Sequence, residues 1–145
     1  MSFVANAALA AGVINAGLAA FVLYTNPRSS LNRVYAMWGA CVSVWNFAAF
    51  FKSFSYVTEA QAMIWVGIIQ AAVIFLPMAL AHLCQVILYG RTPKWIYGFY
   101  ALHLALLGSL LFTPHFMQGV QKVAGLGWWP KRVHCSKSIL HRMSF

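Results

Sequence analysis

The chain has 145 residues, 62% of them hydrophobic and 8% charged, with a mean hydropathy of +0.73. An ordinary soluble domain is roughly 25% charged, so this composition excludes a water-soluble fold. The net charge of +9 includes a single acidic residue, Glu59, which nearly excludes carboxylate-dependent acid/base, magnesium or glycosidase chemistry.

The basic residues stand in loops beside apolar runs and form no stripe interleaved with exposed aromatics. They therefore point to the lipid bilayer as partner and not to nucleic acid. Cys41 and Cys84 fall inside apolar runs and Cys135 is alone in the tail, against both a disulfide framework and a zinc site.

The expected fold is all-α, a polytopic transmembrane bundle. Span one covers about residues 3–24, without charge, and rises roughly 33 Å at about 1.5 Å per residue. No basic residue precedes it and it is too long for a signal peptide, so it reads as a retained span. Ala8, Gly12, Ala16 and Ala20 give it a small-residue strip, fit to pack on a neighbouring span or on a second copy in a homodimer. Asn26 and Pro27 stop the helix, and Ser30 or Asn32 is expected to cap the next.

Span two covers about 34–51, closed by Lys52 with a snorkelling ammonium; "SFSYVTEAQ" (53–61) reads as a polar turn. Span three, about 62–89, carries Pro77, expected to kink it. In the next turn Gly90 suits a C′ position, Thr92 an N-cap and Pro93 a first helical turn. Span four covers about 95–112. After Thr113 and Pro114 the chain has neither span length nor a clear helical face, and it ends in Trp128 and Trp129, expected at headgroup level. Residues 131–145 are basic and change composition abruptly; with four spans they would fall outside, against the positive-inside rule, so either a further span is missing or, the favoured reading, the tail is a truncated or frame-shifted product.

Arg28, Arg33, Arg91 and Lys94 lie in loops one and three, against Lys52 offset by Glu59 in loop two. The positive-inside rule then sets a multi-pass protein of a cell inner membrane with its N-terminus outside. Tyr24, Tyr35, Trp38, Tyr89 and Trp95 would form the inner aromatic belt.

Within the spans, the amides Asn15, Asn46, Gln70 and Gln85 call for interhelical hydrogen bonds. Asn15, Asn46 and Gln70 with His82 are candidates for a ligand pocket; plain structural bonding is the competing reading. His82 and His103 lie at similar depth on adjacent spans. They read as a haem pair, as a pH-sensing or hydrogen-bonded core, or as inert histidines. No nucleophile–base pairing, glycine-rich phosphate loop or metal-ligand cluster is legible, so the chain is not expected to be an enzyme.

The stretches "FVLYTNPRSSLNRVYAMW", "VWNFAAFF" and "AAVIFLPMALAHL" resemble the N-terminal seven-helix sensor region that precedes bacterial histidine kinase and related signalling domains. The resemblance covers about residues 1–130 and is carried by Asn26, Pro27, Arg28, Ser29, Asn32 and Arg33, with Trp45, Phe50, Phe75, Pro77 and His82. It implies the first four helices of a sensory input module that relays a cue by helix repacking to a cytoplasmic transmitter domain. The kinase domain is absent from this chain. Asn26, Pro27, Arg28, Asn32 and Arg33 would anchor a cytoplasmic loop. The alternative is a small membrane subunit or transport component, binding haem through His82 and His103.

Overall fold

Four helices and a two-stranded hairpin make up the residues that the computed structural model describes: 3–54, 57–112, 119–123 and 127–130, with the side chains of 110–112, 122, 127 and 130 left aside. In chain order they are α1 (Phe3–Thr25), α2 (Ser30–Phe51), α3 (Glu59–Tyr89), α4 (Trp95–Phe112), β1 (Val120–Val123) and β2 (Gly127–Pro130). The expected break at Thr113–Pro114 and the basic tail 131–145 with Cys135 lie outside the described residues.

α1, α2 and α3 are long and apolar enough to cross a membrane. α4 forms over the residues expected of a fourth span, but it is not among the helices that meet that length and hydropathy. Its 18 residues rise about 27 Å, just short of a hydrocarbon core of about 30 Å. The expectation of an all-α chain needs one correction. β1 and β2 pair antiparallel, with Val120 opposite Pro130 and Val123 opposite Gly127, where no regular structure was anticipated.

α1 and α2 pack antiparallel over the small-residue face. Ala5, Gly12 and Ala19 of α1 are buried, Gly12 against Phe47 and Ala19 against Gly39 of α2. Of the expected strip only Gly12 is buried; Ala8 and Ala16 are half-buried and Ala20 is exposed, and the closest packing runs instead through Ala5, Gly12 and Ala19, seven residues apart. α2 and α3 meet along their whole length: Val34 packs with Leu83 and Val86 at one end, and Phe51 stacks on Trp65 at the other, ring centroids 5.0 Å apart. α4 returns antiparallel along α3, Tyr100 facing His82 and His103 facing Phe75.

Both ends of the bundle are built by local hydrogen bonds. At the end carrying the arginines, Ser29 caps α2 by accepting from the Asn32 amide at 3.4 Å, in place of the expected Ser30 or Asn32. Asn32 instead turns its side chain to α1, donating to the Val22 carbonyl at 2.8 Å, one of the last-turn carbonyls a helix leaves free. Gly90 ends α3 in the left-handed region at φ 65°, as its place in the sequence anticipates. Tyr24, Tyr89 and Trp95 are exposed there, whereas Tyr35 and Trp38, expected in the same belt, pack inward on the Val34 cluster.

At the opposite end, Thr58 and Gln61 form a capping box, so α3 starts at Glu59 rather than near 62. Residues 53–61 are more than a polar turn. Val57 is buried with Ala62, Val66 and Val120, and Phe54 packs against that cluster.

The closest backbone approach yields a paired test. A Cβ added at Gly39 would lie 2.9 Å from the Ala19 Cβ, whereas one added at Gly17 meets nothing within 4 Å. Gly39→Ala should cost about 1–3 kcal/mol by overpacking, while Gly17→Ala should be neutral or slightly stabilising; melting of both variants in detergent measures the difference.

Candidate functional site

A hydrophobic run that ends in lysine would normally send the ammonium out to water, and Lys52 does the reverse. α2 ends at Phe51; Lys52 continues the turn at φ −62° and donates its backbone N–H to Ala48 and Phe50. Its side chain is only 9% exposed, and its Nζ lies 4.2 Å from the centroid of the Trp129 ring. The expectation of a snorkelling lysine is therefore corrected: the hairpin covers the position that water would have taken.

The cover is held in place by Trp128, whose indole Nε1–H donates to the Val57 carbonyl at 3.1 Å, and by Val120, which enters the core at the start of α3. Adjacent residues of a strand face opposite ways, so with Trp128 fastened to the loop, Trp129 is presented to Lys52. A cation on an aromatic face gains about 0.5–2 kcal/mol, rising as water is excluded.

Below this cover lies a cavity of about 340 Å³ between α1, α2 and α3. Val4, Ala8, Trp45, Ala49, Val66 and Ile69 make its walls apolar; Lys52, Ser53 and Gln70 supply its polar groups, and Trp129 its rim. Such a space is at the lower end of ligand pockets, about 300–1,000 Å³, and has their usual character of apolar walls with a few polar groups. Burial lowers the Lys52 pKa from its ordinary 10.5, because the charged form loses hydration. No carboxylate or other hydrogen-bond acceptor meets the ammonium among the described residues.

Of the four pocket candidates, only Gln70 lines this cavity. Asn15 and Asn46 do not make the interhelical bonds expected of them: each donates to the carbonyl four residues back in its own helix, Ala11 and Val42, both at 2.8 Å. The carbonyl one turn back is always within reach of a short amide, so the donor is satisfied locally. Gln85 lies at the other end of α3, beside Tyr89, Arg91 and Pro93.

His82 belongs to a separate polar knot between α2, α3 and α4. Its Nδ1 is 3.1 Å from the Tyr100 hydroxyl and its Nε2 is 2.9 Å from the Thr92 hydroxyl, while Tyr100 donates to the Met37 sulfur at 3.5 Å. Thr92 is thereby engaged with His82 rather than serving as the expected N-cap. His103 is exposed, its Nδ1 bonded to the Phe99 carbonyl at 2.7 Å and its ring beside Phe75. The two histidines accordingly look to different neighbours, and a shared haem iron would have to displace one of the two hydroxyl partners of His82. No group of three or more metal-ligating side chains is present among the described residues.

Of the loop anchors, Arg28 and Arg33 are exposed, next to Pro27. Asn26 accepts from the Ser29 N–H through its side chain at 3.2 Å, and Asn32 ties the two helices together as described. The residues that sequence reasoning missed are Lys52, Trp128 and Trp129 acting together. Each was noticed singly, but nothing local links positions seventy-odd residues apart.

Comparison with family models, curated proteins and solved structures finds no match to this chain. The functional reading rests on this geometry and on the residues themselves.

A buried lysine of lowered pKa gives a definite pH dependence. Between that lowered value and 10.5 the unfolded chain binds more protons than the folded one, so stability should rise as pH increases through this window and be least below it. Melting temperatures in detergent, followed from neutral pH toward 10.5, should increase for the native chain and stay flatter for Lys52→Met.

Proposed function

We propose that the chain is a membrane-embedded sensory input module of the kind that precedes histidine kinase transmitters, and not an enzyme itself. Four helices cross the bilayer, with the N-terminus, the α2–α3 loop and the hairpin outside and the arginine-bearing loops in the cytoplasm. The observation that carries this reading is the covered cavity around Lys52, a ligand-sized space at the end of the bundle opposite the arginines.

Two features support the fourth crossing. α4 starts beside the end of α3 and runs back antiparallel to it, and the hairpin that follows bonds to Val57 at the far end. A chain that begins at one end and is next fastened at the other has traversed the thickness between them. The basic residues of loops one and three agree with the orientation.

In the proposed mechanism, occupation of the cavity shifts the balance between two packings of α1–α3, and the shift is passed along the helices to the cytoplasmic ends, where a transmitter domain would be joined. The glycine contacts between α1 and α2 let the helices slide with little side-chain rearrangement, and Pro77 leaves one turn of α3 without its backbone bond.

The relay is tested by loosening one end and observing the other. Trp128→Phe keeps the ring but removes the N–H that holds the hairpin to Val57. Spin labels at Tyr24→Cys and Tyr89→Cys, both exposed at the arginine end, report the spacing of α1 and α3. In a background free of native cysteines, the distance distribution should shift or split in the Trp128→Phe protein; an unchanged distribution removes the relay.

A further inference from the structure

Lys52 is an unusual group to find below a hairpin in a chain with a single carboxylate. Lys52 as a whole is largely buried, and the face of Trp129 offsets only part of the hydration its ammonium gives up. Lys52 lines the apolar cavity together with Gln70, for whose side chain no hydrogen bond is found among the described residues. A cation and an amide donor that line one apolar space between membrane-type helices specify a complementary molecule.

The geometry points to a single-chain amphiphile with a carboxylate head, of the medium-chain fatty acid class, as the ligand of this cavity. Its carboxylate accepts hydrogen bonds from the Lys52 ammonium and the Gln70 amide, and its alkyl chain lies along Val4, Ala8, Val66 and Ile69. The volume sets the chain length. About 340 Å³ holds roughly eleven groups of the size of a water or methylene, at about 30 Å³ each. That is too little for a two-chain phospholipid. The charge sets the head: one lysine neutralises a monoanion, whereas a phosphate dianion would retain excess charge in a poorly hydrated space. The apolar walls reject a hydrophilic carboxylate such as a free amino acid.

This assignment rests on the cavity being the input site of the proposed module, and its test does not depend on the relay. Purified protein in nanodiscs of zwitterionic lipid is titrated with decanoate, decanol, decyltrimethylammonium and decyl phosphate, with tryptophan fluorescence as the signal, since Trp45 and Trp129 both line the space. Decanoate should give a saturable change about tenfold or more tighter than decanol, and the quaternary ammonium should give none. Lys52→Met should weaken decanoate about tenfold and leave decanol unchanged. Lys52→Arg should retain most of the preference. Gln70→Leu, which leaves the buried charge and the hairpin in place, should weaken decanoate and not decanol.

Equal affinity for decanoate and decanol, or decanoate affinity unaffected by both Lys52→Met and Gln70→Leu, would overturn the proposal. Tighter binding of decyl phosphate than of decanoate would overturn it in favour of a phosphate-headed lipid. If decanoate fails while Trp128→Phe still moves the cytoplasmic ends, the ligand class alone is wrong; if decanoate binds and those ends stay fixed, the site stands without the relay.

Discussion

The hydrogen bond from the Trp128 indole to the Val57 carbonyl fixes more of this molecule than its own strength would suggest. A single such bond contributes about 0.5–1.5 kcal/mol. Its position, though, joins the β1–β2 hairpin to the turn between the second and third helices. With that join made, Val120 and Val57 share one core cluster, Trp129 is carried over Lys52, and the space between α1, α2 and α3 becomes a covered cavity. Without it, the lysine would be free to reach for water and the cavity would be an open cleft.

The two ends of the bundle share local hydrogen bonds but differ in what packs around them. At the arginine end polar groups do the joining: Asn32 ties the last turn of α1 to the first turn of α2, Gly90 ends α3 in a conformation that side chains resist, and His82 links Thr92 and Tyr100. These are directional contacts that hold helix ends in register. At the hairpin end the contacts are aromatic and apolar, with Phe50, Phe51, Phe54 and Trp65 packed edge to face or stacked.

Much of this was legible in the residues. Asn26–Pro27 and Gly90 end helices where local chemistry says they should, whereas of the small-residue strip of α1 only Gly12 is buried and the packing face is turned to Ala5 and Ala19. Other signals were present but carried less weight than hydropathy: Ser29 before α2 and the Thr58–Gln61 box before α3 are ordinary capping patterns, hidden by counting a span only from its first long apolar run. The hairpin was harder. Val120–Val123 and Gly127–Pro130 are four residues each, too short for a period-2 pattern to stand out beside helices of more than twenty. The burial of Lys52 could not be read locally at all, since its cover comes from Trp129, and the amides misled because a carbonyl one turn back satisfies Asn15 and Asn46 as well as a neighbouring helix would.

The central claim is that the hairpin and the α2–α3 turn share one face of the membrane while the arginine loops occupy the other. Single cysteines at Gln121, Ser53 and Arg28, in a background without the native ones, can be treated with a membrane-impermeant maleimide in sealed vesicles of known orientation. Labelling of Gln121→Cys and Ser53→Cys from the outer side, with Arg28→Cys labelled only after the vesicles are opened, is the predicted result. Labelling of Gln121→Cys and Arg28→Cys from the same side would contradict the account.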